Sequence, residues 1–147
     1  MTLARGNQTI YGFSATDPSF SHTQDAGSNL LLVVRVGDWR GVVVGITYGG
    51  YALTQHVASG DSGVDDNFTS IWYLINPPTG ANMVAIDTNL STDGVAIANS
   101  YTGAHQTTPV RNGASSVGTG TAVSTVVTSA SGDQVIDIVA CDSSSGT

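Results

Sequence analysis

The sequence predicts an all-β protein, an antiparallel two-sheet sandwich of jelly-roll or immunoglobulin-like type with little or no helix. Three observations lead there. The 147 residues include 11 Asp and 4 Arg but no Glu and no Lys, and Glu and Lys are the usual fillers of exposed helix faces. Gly, Ser and Thr contribute 18, 17 and 18 residues. Short β-branched runs alternate with clusters of Gly, Asn, Asp, Ser and Pro, the pattern of a sandwich or barrel. The length fits a single domain over 1–147 with a real core. Within it, residues 1–14 form an N-terminal arm or an exchanged strand.

The expected strands run in order through Thr9–Phe13, Phe20–Thr23, Asn29–Val36, Val42–Tyr48, Ala52–Ser59, Thr69–Ile75, Asn82–Asp87, Val95–Tyr101, Ala122–Thr128 and Gln134–Cys141. Tyr48-Gly49-Gly50-Tyr51 joins two of them, and Gly-Gly supplies the positive φ angles of a two-residue hairpin. Asn76-Pro77-Pro78-Thr79-Gly80 ends a strand abruptly, because proline cannot donate to a ladder. Pro109 to Thr121 is poor in bulky residues and reads as a long loop. Ser131-Gly132-Asp133 turns the chain into its last strand.

Charge and composition exclude several functions. A formal net charge of −7 and a pI near 4.3 leave nothing to neutralise phosphates, which argues against a nucleic-acid partner. The N-terminus has no apolar signal-peptide core. The longest apolar run, Leu30–Val34, is far shorter than the roughly 20 residues of a membrane helix. Export without a signal, as for a virion part, or excision from a larger secreted chain would each fit. The lone cysteine, Cys141, makes no intrachain disulfide and reads as a small buried hydrophobe rather than a nucleophile. Gly118-Thr119-Gly120 lacks the third glycine, the lysine and the helix of a phosphate loop.

Candidate sites are few. His22, His56 and His105 match no short zinc spacing, and His22 and His56 fall in strand patterns. No serine sits in a nucleophile elbow, so no enzyme is expected and no catalytic residue is assigned. Gly60 to Asn67 holds the densest set of oxygen ligands. Asp61, Asp65, Asp66 and Asn67 are therefore candidate calcium ligands, the one cofactor considered, against the plainer reading of a solvated loop tip. Trp39 and Tyr51 are candidates for a sugar-stacking platform or a subunit contact, with Ile10, Tyr11 and Phe13 of the N-terminal arm as further interface candidates. Trp72 reads as core. Arg35 and Asp137 each interrupt an apolar strand and are expected either to face solvent or to meet as a partly buried ion pair.

The runs LLLVVRV, VVGITYGGYALTQH, IWYLINPPTGA, VAIANSYTGAHQTTPV and TSASGDQVIDIVA, in that order, resemble β-sandwich modules of bacteriophage virion structural proteins and large bacterial surface proteins. The resemblance spans about Phe20 to Ala140. It departs at Gly103-Ala104-His105, where such modules often carry Gly-Val-Asp, and in the strands that usually follow. It implies a structural or adhesive role without catalytic residues. The expected function is a virion structural protein, a capsid decoration (cement) or tail-associated protein, with the virion as its location. Its partners are copies of itself or the major capsid protein, in a homo-oligomer or on a lattice. The alternative is a carbohydrate-binding or adhesive module of a secreted bacterial surface protein, extracellular or at the cell surface. Because the resembling modules carry further strands, one sheet edge is expected to be left for a partner.

Overall fold

The computed structural model describes residues 2–60, 67–118 and 122–141. Among these residues there is no helix, and the strands are β1 (Ala4–Ala15), β2 (Ser19–Gln24), β3 (Leu31–Trp39), β4 (Val43–Tyr48), β5 (Tyr51–Ala52), β6 (Thr54–Gly60), β7 (Asn67–Ile75), β8 (Gly80–Thr88) and β9 (Thr92–Thr102). They form a five-stranded sheet in the order β1-β9-β3-β7-β6 and a four-stranded sheet in the order β2-β8-β4-β5. Every pairing is antiparallel. The fold is the expected two-sheet sandwich.

Period-2 alternation builds the core. Leu32, Val34 and Val36 of β3, with Trp72, Ala96 and Ala98 beside them, meet Phe20, Ile46, Tyr48, Val84 and Ile86 of the other sheet. The four-stranded sheet alternates cleanly: in β8, Val84 and Ile86 are buried and Met83, Ala85 and Asp87 exposed. β3 behaves differently. Its odd-numbered Leu31 and Val33 are also buried, in a second cluster with Tyr101 and Ala104. A central strand covered on both faces reads as a near-continuous apolar run, and that is what LLLVVRV encodes.

The turns follow their residues. Gly49 and Gly50 have φ of 56° and 85°, and Tyr48 pairs with Tyr51 across them. Asn76, with φ of 52°, donates its N–H to the Leu30 carbonyl at 3.0 Å as the chain crosses between sheets. Tyr48 ties three strands of the four-stranded sheet together: its hydroxyl lies 3.1 Å from the His22 carbonyl of β2 and 2.8 Å from the Gly80 carbonyl of β8.

Two expected strands are absent. Ala122–Thr128 and Gln134–Cys141 belong to no ladder. The turn between them does form: Gly132 has φ of 90° and the Asp133 N–H donates to the Ala130 carbonyl at 3.1 Å. Both long edges of β3 are already taken by β7 and β9. The C-terminal segment lies over the face of the sheet, where no row of main-chain groups is free to pair. The N-terminal segment is β1, on the edge of its own sheet against β9.

Candidate functional site

The outer face of the five-stranded sheet and the C-terminal segment across it form the least ordinary surface. Ile136 packs against the cluster around Leu31, Val33 and Tyr101, and Ile138 and Ala140 stand over Gly37. The intervening Val135 and Val139 point outward, 61% and 62% exposed. A cleft of about 530 Å³ remains beneath the segment, floored by Leu31, Val33 and Ile71 and roofed by Val110, Val127 and Ile136. An Arg111–Asp133 ion pair ties the segment to the preceding loop.

Arg35 and Asp137 do come together here, but not as the buried ion pair considered above. Arg35 Nη1 donates to the main-chain carbonyl of Asp137 at 3.0 Å, and Nη2 donates to Asn99 Oδ1 at 2.8 Å. The Asp137 side chain is exposed. Cys141 is also exposed rather than buried, because the strand that would have enclosed it does not form.

The aromatic candidates separate. Trp39 ends β3 opposite Asn67 and Asp93, and the Arg40 guanidinium stacks 4.1 Å from its ring centroid. Tyr51 sits on the β4–β5 hairpin, one length of β4 away, about 17 Å at strand rise. They do not share a platform. Phe13 is core; Tyr11 stacks on Phe20 with centroids 5.0 Å apart. Ile10 alone of that trio is fully on the surface. Trp72 is core, as expected, and its Nε1 donates to Ser70 Oγ at 2.9 Å. Of the calcium candidates, Asp61, Asp65 and Asp66 lie outside the described residues; Asn67 opens β7.

The histidines are apart from one another, and no cluster of three His, Cys, Asp or Glu side chains occurs among the described residues. His105 caps a turn, its Nδ1 accepting from the N–H groups of Thr107 and Thr108. His56 meets Tyr73 edge-on. His22 is buried between the sheets, with Nδ1 2.9 Å from Thr9 Oγ1 and Nε2 3.1 Å from Ser100 Oγ. Ser100 Oγ donates its proton to the Thr23 carbonyl. It therefore accepts from His22, which puts the ring proton on Nε2 and leaves Nδ1 to accept from Thr9. Burial lowers the His22 pKa, and the charge of Asp25 partly opposes this. The Ser–His contact resembles half of a catalytic pair, but both residues are enclosed and have no path for a substrate. It is a polar clamp between β1, β2 and β9.

Sequence reasoning missed Asp38. It is 4% exposed, neither carboxylate oxygen has a hydrogen-bond partner, and burial pushes its pKa up to about 7. The signal was present: Asp38 has the parity of Val34 and Val36, so extending β3 by two residues points it inward. Comparison of the chain with protein-family models, with curated proteins and with solved structures finds no match in any of the three.

Proposed function

We propose that the chain is a virion structural protein, a phage capsid decoration (cement) or tail-associated protein, working through contacts with its own copies or with the major capsid protein. The observation that carries this reading is the 134–141 segment. It is extended, it makes no ladder, and Val135 and Val139 face outward while Ile136 and Ile138 face the sheet. A segment with apolar side chains on both faces and no ladder partner, its Asp137 carbonyl apart, is a template for a further strand. The resemblance to phage structural modules supplies the setting.

Mass spectrometry of purified virions tests the location, and sedimentation tests the contact. Wild-type chain is expected to self-associate or to load onto capsids, and a Val135→Asp, Val139→Asp double variant to remain monomeric and unloaded. A wild-type monomer that is also absent from particles would overturn the proposal. The second reading, an adhesive or carbohydrate-binding module, draws on Trp39, a residue 39% exposed at the end of the sandwich with one ring face under Arg40. A glycan array tests it, with binding expected to vanish in Trp39→Ala.

A further inference from the structure

Of the eight asparagines, only Asn112 is followed by glycine. In an Asn-Gly pair the side-chain amide is most open to attack by the next main-chain nitrogen, because glycine has no Cβ to crowd the approach. Fold or neighbour protects the others. Asn7, Asn67, Asn82 and Asn99 are held in strands. Asn76 precedes Pro77, which has no N–H, and Asn29 and Asn89 precede leucine. Asn112 and Gly113 belong to no ladder, and both are exposed.

The loop needs both residues. Asn112 has φ of 36°, a left-handed conformation that asparagine tolerates better than most side chains. Its Nδ2 donates to the Thr128 carbonyl at 3.0 Å. Gly113 passes so near β6 that a Cβ there would lie 3.1 Å from His56 Nε2 and 3.3 Å from Val57 Cβ. We propose that Asn112-Gly113 is a self-modification site whose conversion loosens the C-terminal segment. The Gly113 nitrogen attacks Asn112 Cγ. A cyclic imide closes as the new C–N bond forms and the Cγ–Nδ2 bond breaks, and Nδ2 leaves with the Gly113 proton as ammonia. Water then opens the imide at one carbonyl, giving aspartate at this position or its isoaspartyl isomer. Neither product keeps the amide donor. In the aspartyl form a carboxylate faces the Thr128 carbonyl, two acceptors in contact; in the isomer the chain runs through Cβ, which shifts Gly113 from its place against His56 and Val57. The Asn112 bond and the Arg111–Asp133 pair are neighbouring ties between this loop and the segment, and the reaction cuts the first.

The test ages the folded protein at mildly alkaline pH and locates the amide-to-acid mass gain by tandem mass spectrometry. Conversion at Asn112 is expected to outrun that at every other asparagine by about tenfold or more, a modest difference in barrier. The converted protein carries one more negative charge and is separated from its parent by anion exchange. Proteinase K is expected to cleave within residues 122–141 about threefold faster or more in the converted fraction and in Asn112→Asp, the change in opening that losing one hydrogen bond produces. Asn112→Gln keeps an amide but would need a larger ring to cyclise, so its cleavage rate is expected not to change with ageing. Conversion at Asn112 no faster than elsewhere, equal cleavage of parent and converted protein, or an equal effect of ageing on Asn112→Gln would each overturn the proposal.

Discussion

Arg35 holds the C-terminal segment by its main chain: Nη1 donates to the Asp137 carbonyl at 3.0 Å while Nη2 donates to Asn99 Oδ1 at 2.8 Å. The acceptor survives any change of the Asp137 side chain. Asp137→Ala is therefore expected to shift stability by less than about 0.5 kcal/mol, like other exposed substitutions. Arg35→Met frees the segment and leaves Asn99 Oδ1 without its donor, a loss of about 1–3 kcal/mol. Urea denaturation of the two variants measures the difference, and protease sensitivity between residues 122 and 141 is expected to rise only in Arg35→Met.

Asp38 tilts stability against alkaline pH. Its carboxyl ionises near 3.8 when unfolded and near 7 when folded, so between those values the folded state holds more protons. The contribution is complete below pH 4 and is lost as the pH rises through about 7. At 1.36 kcal/mol per unit, the loss is on the order of a few kcal/mol. Asp38→Asn is expected to match wild type near pH 4 and to exceed it at pH 8, as read from urea midpoints across that range.

His22 tilts the other way. Burial lowers its pKa below 6.5 against the pull of Asp25, so the unfolded chain takes the proton first. Its stabilisation is present above pH 6.5 and is lost as pH falls through the folded value. A proton on Nδ1 would also displace the hydrogen bond accepted from Thr9. His22→Phe is expected to flatten this acid limb of the stability profile. Nitrogen-15 NMR of the wild-type ring at pH 7.5 should show the proton on Nε2.

Gly94 marks a close approach of three strands. A Cβ there would lie 2.6 Å from Phe13 Cζ and 2.7 Å from the Gly37 carbonyl oxygen. The Phe13 ring is packed in the core, and the backbone oxygen belongs to the β3 ladder. Gly94→Ala is expected to cost about 1–3 kcal/mol, as overpacking does. Gly12→Ala is the control, since its Cβ would meet only the Gly94 oxygen at 4.0 Å, and it should stay within about 0.5 kcal/mol of wild type. Calorimetric melting temperatures compare the pair.

The sandwich was legible because its signals are local. Alternation in Asn82–Asp87 and the Gly49-Gly50 turn each specify their own geometry within a few residues. Gln134–Cys141 carries the same local pattern as the strands that formed, yet it forms none. The segment lies over the face of β3, whose two edges β7 and β9 already occupy, and not along the free β1 or β6 edge, a placement no local pattern records. The meeting of Arg35 and Asp137 was foreseeable from charges set in apolar runs. That the acceptor is a carbonyl was not, since main-chain atoms are the same at every residue. Asp38 was hidden by its neighbours: Gly37-Asp38-Trp39-Arg40-Gly41 has the composition of a turn, whereas β3 continues through Trp39.

The ladder that sets Ala15 against Thr92 and Ala4 against Thr102 joins the first strand to the last. During synthesis β1 must therefore wait for β9, at roughly 5–20 residues per second, on the order of 5 s or more after it leaves the ribosome. β3 waits too, because β9 covers one of its edges, and its apolar run stays uncovered meanwhile. Among the described residues only the β4–β5 and β6–β7 pairs join neighbours in sequence within one sheet. Folding is thus expected to be slow, in the milliseconds-to-seconds range of nonlocal β topologies. A ribosome stalled short of residue 92 would expose a chain whose five-stranded sheet has nothing to pair β1 with.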